Sequence, residues 1–192
     1  MQAVGNDIVD LKDVFCQGKH ENGRFLNKIC TSKEITAIGE SIDPHQALWT
    51  HWAIKESAYK AFMKVLTTCT FAPKKFVVSR NGENYSCEYK DVRSEVRVFT
   101  NPEYVHAIAA YGKKVDWSLI KWKVALATSE ENSSQEARQL AIDLYGQKHV
   151  KVLRDGQAFP QLFCNNELIH GIDISLSHDG RYVLAIIMNT DE

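Results

Sequence analysis

The spacing of apolar residues in the first half of the chain predicts one long helix followed by several strands. Between about residues 45 and 66, apolar positions recur at the helical period and form one buried stripe. Its members are Ile54, Ala58, Ala61, Phe62 and Val65. From residue 75 to 110 the period shortens to that of strands, and Asn81-Gly82 indicates a hairpin turn. Residues 2–9 predict a further short strand before the helix.

The second half of the chain repeats this outline of a helix followed by strands. Two capping boxes mark helix starts, Thr31-x-x-Glu34 in the first half and Ser133-x-x-Glu136 in the second. A helical stripe then runs to Gly146. Four strands are predicted after it, at 149–153, 159–163, 172–176 and 182–188, with a turn at Asp155-Gly156. Residues 115–127 are compatible with either a strand or a helix.

The repeated outline predicts an α+β fold of two similar lobes, each a helix packed on a small antiparallel sheet. The polar stretch Glu130–Ser134 is the best candidate for a boundary between them. We therefore predict a first lobe over 1–115, a linker over 116–133 and a second lobe over 134–192.

Composition excludes several classes of protein. The net charge of −1 argues against an extended nucleic-acid groove, which needs a clustered excess of Lys and Arg. The five cysteines are scattered without a C-x-x-C pair, which suits a reducing compartment and gives no zinc spacing. The opening residues do not have the pattern of a signal peptide, and the apolar run at 182–188 is far too short for a membrane span. We expect a cytoplasmic protein without nucleic-acid or membrane partners.

Some polar positions could carry chemistry, although each also has an ordinary structural interpretation. Glu56 and Lys60 lie one helical turn apart, as in a metal-and-phosphate surface or a common surface ion pair. Asp7, near the end of the first predicted strand, could be a turn former or a ligand of a hard cation such as Mg²⁺. The Ser177-His178 turn could bind a ligand or simply close a hairpin.

Three motifs together carry a family resemblance. They are Gly5-x-Asp7, Trp52-x-x-Lys55-Glu56-Ser57-x-x-Lys60 and the Ser177-His178 loop. These resemble the hallmark stretches of the 4′-phosphopantetheinyl transferase superfamily, which are G-x-D, (W/F)-x-x-K-E-(A/S)-x-x-K and a Ser-His loop. Phe25-x-x-Lys28 followed by Thr31-x-x-Glu34 is similar to the segment that lies between the first two motifs in that family.

The resemblance implies transfer of the 4′-phosphopantetheine group of coenzyme A to a serine of an apo acyl or peptidyl carrier protein, with release of adenosine 3′,5′-bisphosphate. It also implies that Asp7 and Glu56 hold Mg²⁺, and that Glu56, directly or through a water, accepts the serine proton. Four side chains would bind phosphate groups of coenzyme A: Lys55, Lys60, Ser177 and His178. Asp173, in a second Gly-x-Asp sequence, is interpreted as structural.

The order of the motifs resembles a circularly permuted two-lobe transferase, for which we expect a monomer. The competing interpretation is a compact holo-acyl-carrier-protein synthase with a long insertion, which would form a trimer. Several positions depart from the family pattern. They are Val9 in place of a third carboxylate, Asp13 in place of a carrier-contacting arginine, Asp179 after the histidine, and Gly156-Gln157-Ala158-Phe159-Pro160 in place of Gly-Lys-Pro.

Two rival functions come from other classes. A non-catalytic adaptor that binds coenzyme A or carrier proteins would tolerate the altered Gly-Lys-Pro segment, although the acidic residues and Lys60 speak against it. A nucleotide hydrolase is disfavoured because the sequence has no Gly-rich phosphate loop. The sequence leaves open whether the carrier serves fatty-acid, polyketide or nonribosomal peptide synthesis. It also leaves open which basic residues meet the 3′-phosphate.

Overall fold

The computed structural model describes residues 1–154, 156 and 159–191. The helices in this part are α1 Gly23–Ile29, α2 Ser32–Gly39, α3 Pro44–Phe62 and α4 Ser133–Tyr145. The strands are β1 Ala3–Asp10, β2 Val77–Asn81, β3 Asn84–Tyr89, β4 Val92–Thr100, β5 Tyr104–Tyr111, β6 Ile120–Leu126, β7 Val150–Leu153, β8 Gln161–Cys164, β9 Glu167–Leu168, β10 Ile172–Asp179 and β11 Tyr182–Asn189. The predicted α+β class is confirmed. No helix within these described residues is long and apolar enough to cross a membrane.

The first lobe packs α3 on a five-stranded antiparallel sheet in the order β1-β5-β4-β3-β2. The Asp43 side chain accepts a hydrogen bond from the Gln46 backbone N–H and caps the start of α3, where Pro44 needs no partner for its nitrogen. The predicted stripe from Ile54 to Phe62 is fully buried against the sheet. The helix ends at Phe62, four residues before the predicted end, and Val65 lies in the turn that follows.

The second lobe packs α4 on a three-stranded sheet in the order β10-β11-β6 and on the small sheet β7-β8-β9. Residues 116–133, predicted as a linker, contribute β6 to this lobe, with Val124 paired to Leu184. The physical reason is that β11 is apolar on both faces and needs a neighbour on each side. The predicted turn at Asp155-Gly156 includes Asp155, which lies outside the described residues, as do Gln157 and Ala158.

The two lobes are joined where β1 lies against β10 and β11. Apolar side chains from both sheets form a shared core at this junction. Its fully buried members include Val4, Ile8, Ile108, Leu184 and Ile186. The junction therefore brings the start of the first lobe's sheet next to the last two strands of the chain, so that the Gly-x-Asp and Ser-His motifs lie on adjacent strands.

Candidate active site between the two lobes

Gly5 allows β1 to lie directly on α3. A Cβ atom at Gly5 would be 2.0 Å from the Ser57 backbone oxygen and 2.6 Å from the Ala61 nitrogen, both of which belong to the helix backbone. This contact places the Asp7 side chain beside Lys60, with Oδ1 3.0 Å from Nζ. The Lys60 ammonium also donates to the Asn6 backbone oxygen at 2.9 Å. Motifs that are distant in sequence therefore meet at one point.

Glu56 shares the electrostatic environment of Asp7 and Lys60. The pKa of Glu56 is raised to about 7, mainly by burial and also by the nearby Asp7 charge, while Lys60 opposes the change. Burial also raises the pKa of Asp7, against the opposing effect of Lys60. Two neighbouring carboxyl groups whose charged forms are disfavoured by burial are suited to a bound cation.

The donor set at this point fits Mg²⁺ better than a metal that requires a full protein cage. Within the described part of the chain, no group of three or more His, Cys, Asp or Glu side chains is arranged to hold a metal ion. Mg²⁺ commonly takes one or two carboxylates and completes its octahedron with water and substrate phosphate oxygens. Asp7 and Glu56 are therefore compatible with the predicted Mg²⁺.

His178, near the end of β10, reaches the cleft from the second lobe. Its Nδ1 lies 3.1 Å from the Ser133 hydroxyl, at the start of α4. That hydroxyl donates to the Glu130 backbone oxygen, so it accepts from Nδ1–H and leaves Nε2 for a ligand. Burial lowers the pKa of His178, and the positive charges of Lys60 and Arg138 lower it further. A bound phosphate would oppose these effects and favour the protonated ring.

Ser177 has a buried hydroxyl with no hydrogen-bond partner among the described residues. It lines a cavity of about 240 Å³ together with Lys60 and His178. Arg138 and Arg154 line the same cavity. Three basic residues therefore give this cavity the chemistry of an anion site, and a bound anion would offer a partner to the buried Ser177 hydroxyl.

A second cavity of about 660 Å³ also has His178 in its lining and contains Asp7 and Asp179. Burial raises the pKa of Asp179 to about 6, and its carboxylate accepts from the Asp10 N–H at 2.8 Å. The exposed side chain of Phe15 also lines this cavity. The charged residues that line the first of these two cavities are thus basic, and those that line the second are mainly acidic.

Lys55 does not take the phosphate-binding role predicted for it. Its ammonium is buried and donates to the Ile29 oxygen at 2.9 Å, to Glu34 Oε2 at 2.7 Å and to the Pro73 oxygen at 3.1 Å. These three bonds use every proton of the group and leave none for a ligand. Burial alone would raise the pKa of Glu34, but the contact with Lys55 holds that pKa below its usual value. The first lysine of the K-E-x-x-x-K motif is therefore structural.

The structural interpretation of Asp173 is confirmed. Its Oδ1 accepts from Lys64 Nζ at 2.8 Å and its Oδ2 accepts from the Val4 N–H at 2.7 Å, which ties the two lobes together. Arg138 and Arg154, which the motifs do not include, also line the cleft.

Comparisons with known proteins agree with the motifs. The family model described as the 4′-phosphopantetheinyl transferase superfamily matches residues 3–109, which include Asp7, Glu56 and Lys60. The holo-[acyl-carrier-protein] synthase of Neisseria meningitidis is similar at 20% identity, covering 58% of this chain and 98% of that chain, with a TM-score of 0.47. The holo-[acyl-carrier-protein] synthase of Thermotoga maritima is similar at 14% identity, covering 80% of this chain and 77% of that chain, with a TM-score of 0.48. No curated protein sequence matches the chain.

Proposed function

Because this chain belongs to the 4′-phosphopantetheinyl transferase superfamily, we propose that it transfers 4′-phosphopantetheine from coenzyme A to a serine hydroxyl of an apo acyl or peptidyl carrier protein. Adenosine 3′,5′-bisphosphate is the other product. The observation that carries this proposal is the cleft itself. Asp7 and Lys60 are in contact beside Glu56. His178 and the Ser177 hydroxyl, which has no partner among the described residues, belong to the facing lobe.

The reaction replaces a phosphoanhydride bond within the pyrophosphate of coenzyme A by a phosphate ester bond to serine. The serine oxygen bonds to the phosphorus that carries pantetheine, the bond from that phosphorus to the adenosine bisphosphate oxygen breaks, and the serine proton must leave. Glu56, directly or through a water, is our candidate for accepting this proton, because its carboxyl group shares the environment of Asp7 and Lys60. Mg²⁺, held by Asp7 and Glu56, would neutralise charge on the pyrophosphate when bound.

The cations of the cleft would hold the pyrophosphate and its leaving group. Lys60 keeps one N–H beyond its bonds to Asn6 and Asp7, and this proton is available for a phosphate oxygen. The Ser177 hydroxyl and His178 Nε2 would bind phosphate oxygens from the second lobe. Charge-assisted bonds of this kind act mainly by fixing the reacting atoms in line and by stabilising the developing charge.

We also propose an oligomeric state and a cellular location for the protein. Both walls of the cleft come from one chain, so a second copy is not needed to complete it, and we propose a monomer. All five cysteines are free thiols, which suits the reducing cytoplasm. The partner is an apo carrier protein, which would approach the open side of the cleft with its serine directed at Glu56.

A product assay tests the proposed function. The protein is incubated with coenzyme A, Mg²⁺ and a panel of apo carrier proteins, and mass spectrometry measures both the phosphopantetheine adduct and adenosine 3′,5′-bisphosphate. We expect both products in equal amounts, and neither after chelation of the metal or in Glu56→Gln. Binding of coenzyme A without any adduct would refute transfer in favour of an adaptor, whereas adenosine bisphosphate without adduct would indicate a hydrolase.

A further inference from the structure

β1 is an edge strand of the first sheet, yet its outward N–H groups are capped by side chains of β10 rather than by a backbone. Every donor and its acceptor are separated by 169 residues along the chain. The bonds are Val4 N–H to Asp173 (2.7 Å), Asn6 N–H to Ser175 (3.1 Å) and Asp10 N–H to Asp179 (2.8 Å). We refer to these three bonds as the interlobe ladder. It fixes how far β1 lies from β10 along the whole cleft.

The ladder is interrupted at the position that lines the cleft. The same offset places Ser177 opposite Ile8, but the Ser177 hydroxyl has no partner in the described part of the chain. The Ile8 N–H instead lies against the Asp7 carboxyl group. The intact bonds on either side, at Asn6 and Asp10, therefore hold the strands in place where Ser177 makes no bond to β1.

Asn6 makes the most extensive connection in the ladder. The Ser175 hydroxyl accepts from the Asn6 backbone N–H and donates to Asn6 Oδ1 at 2.8 Å, so the two residues bond in both directions. Asn6 Nδ2 donates to the Leu184 oxygen at 3.3 Å. The Asn6 backbone oxygen accepts from Lys60 at 2.9 Å. One residue thus contacts β10, β11 and α3 at the point where they converge.

A polar pair at this place is not required for packing alone. Asn6 is 0% and Ser175 is 3% exposed, and both lie beside the apolar core shared by the two lobes. Apolar side chains of similar volume would fill the same space without the cost of burying polar atoms. A fully satisfied polar pair instead specifies one arrangement of the groups that it joins.

We propose that Asn6 and Ser175 are positioning residues for the transfer reaction. Asn6 immediately precedes Asp7, and Ser175 lies two residues before Ser177 on the same side of β10, so this bonded pair sets the separation between the two walls of the cleft. The inference rests on the proposed function, because it assigns the pair a role in aligning groups that act on coenzyme A. Neither residue contacts the reacting atoms.

Substitutions at Ser175 test the proposal, with Ser94 as a matched control. The Ser94 hydroxyl is also buried and donates to a backbone oxygen, that of Cys87 at 3.4 Å, within the first lobe's sheet. Ser175→Ala is expected to lower kcat by about 10² with a smaller change in KM, since a displacement near 1 Å can cost that much. Ser175→Thr restores the hydroxyl and kcat, Asn6→Ala behaves like Ser175→Ala, and Ser94→Ala keeps wild-type kcat.

A measurement independent of activity separates failure of this inference from failure of the proposed function. Amide NMR spectra of Ser175→Ala should show shifted signals at Asp7 and His178, whereas Ser94→Ala should leave both signals in place. The positioning role would be overturned if Ser175→Ala and Asn6→Ala keep the wild-type kcat. It would also be overturned if NMR signals shift only at the residues that share the removed hydrogen bonds. If the wild-type protein transfers nothing, the proposed function fails and the NMR comparison alone decides the positioning role.

Discussion

Replacing Lys55 by methionine tests whether the first lysine of the K-E-x-x-x-K motif is structural. Methionine matches the length and apolar volume of the lysine stem but leaves the Glu34 carboxylate without its cation. Both groups are buried, with exposed fractions of 1% for the lysine side chain and 3% for the glutamate. Breaking such a pair by removing one partner costs roughly 3–5 kcal/mol. At about 2–4 °C per kcal/mol for a chain of this size, Tm should fall by about 6–20 °C.

Lys60 provides the matched comparison on the same helix. Its side chain is 26% exposed and contacts Asp7 at the open side of the cleft. We expect Lys60→Met to lower Tm less than Lys55→Met does, because the Lys60 side chain is partly exposed and solvent screens the pair. The same substitution should raise the KM for coenzyme A and lower kcat, since it removes a phosphate-binding cation. Lys55→Met, assayed well below its Tm, should keep a wild-type KM.

Urea unfolding and steady-state kinetics measure the two effects separately. A double-mutant cycle with Glu34→Gln should show strong coupling, so that the double variant loses less stability than the sum of the single losses. The reasoning is refuted if Lys55→Met unfolds at the same urea concentration as the wild type while its KM for coenzyme A rises. That result would indicate that Lys55 binds a phosphate group of coenzyme A.

Three further outcomes follow from the geometry. Gly5→Ala should lower the unfolding free energy by at least about 1–3 kcal/mol in urea titrations, because the new Cβ meets the Ser57 backbone oxygen at 2.0 Å; unchanged stability would contradict the close β1–α3 contact. The Mg²⁺ concentration for half-maximal activity should rise by up to about tenfold per pH unit as pH falls below about 7, because protons compete with Mg²⁺ for Glu56. If this concentration does not change with pH, Glu56 is not a ligand of the metal. Burial would raise the pKa of Asp10, but the hydrogen bonds from Arg181 outweigh this effect and hold the pKa below its usual value. The Asp10–Arg181 pair therefore contributes its full stabilisation above about pH 4, and this contribution is lost as pH falls through the folded-state pKa of Asp10. Urea midpoints should therefore fall less between pH 7 and pH 3 in Asp10→Asn than in the wild type, and equal falls would show that this pair does not matter.

Local patterns in the sequence were sufficient for several elements that depend on local chemistry, but not for the second predicted capping box. Ser133-x-x-Glu136 does not form one, because Ser133 lies inside α4 and Glu136 accepts from the Thr128 N–H instead. The Thr31-x-x-Glu34 capping box forms, with both of its hydrogen bonds present. The hairpin predicted at Asn81-Gly82 forms, with Gly82 at a φ of 61°. The helical stripe of α3 is buried as its period predicts. In each case the decisive interactions lie within a few residues, so the pattern contains the answer.

Interactions between distant segments could not be predicted in this way. The spacing of apolar residues over 115–127 fits either a strand or a helix. The segment forms β6 because one edge of β11 is available for pairing. Lys55 has the same charge whether it meets a phosphate or a buried Glu34, which lies 21 residues away along the chain. The orientation of His178 depends on Ser133, a partner that no sequence spacing reveals.

The family motifs predicted the identity of several site residues, but their relation in space comes from the fold. Glu56 and Lys60 are one helical turn apart in any helix, so their proximity needs no tertiary information. Asp7 reaches them only because Gly5 lets β1 lie on α3. The interlobe ladder was not predicted at all, because alternate acceptor residues on a strand have many ordinary explanations.

A structure of the protein bound to coenzyme A and Mg²⁺ tests the central claim most directly. We predict one divalent cation held by Asp7 and Glu56, with pyrophosphate oxygens completing its coordination. Lys60, Ser177 and His178 should contact the phosphates from opposite walls of the same cleft. Coenzyme A bound elsewhere, or a cation that lacks either carboxylate, would contradict the account.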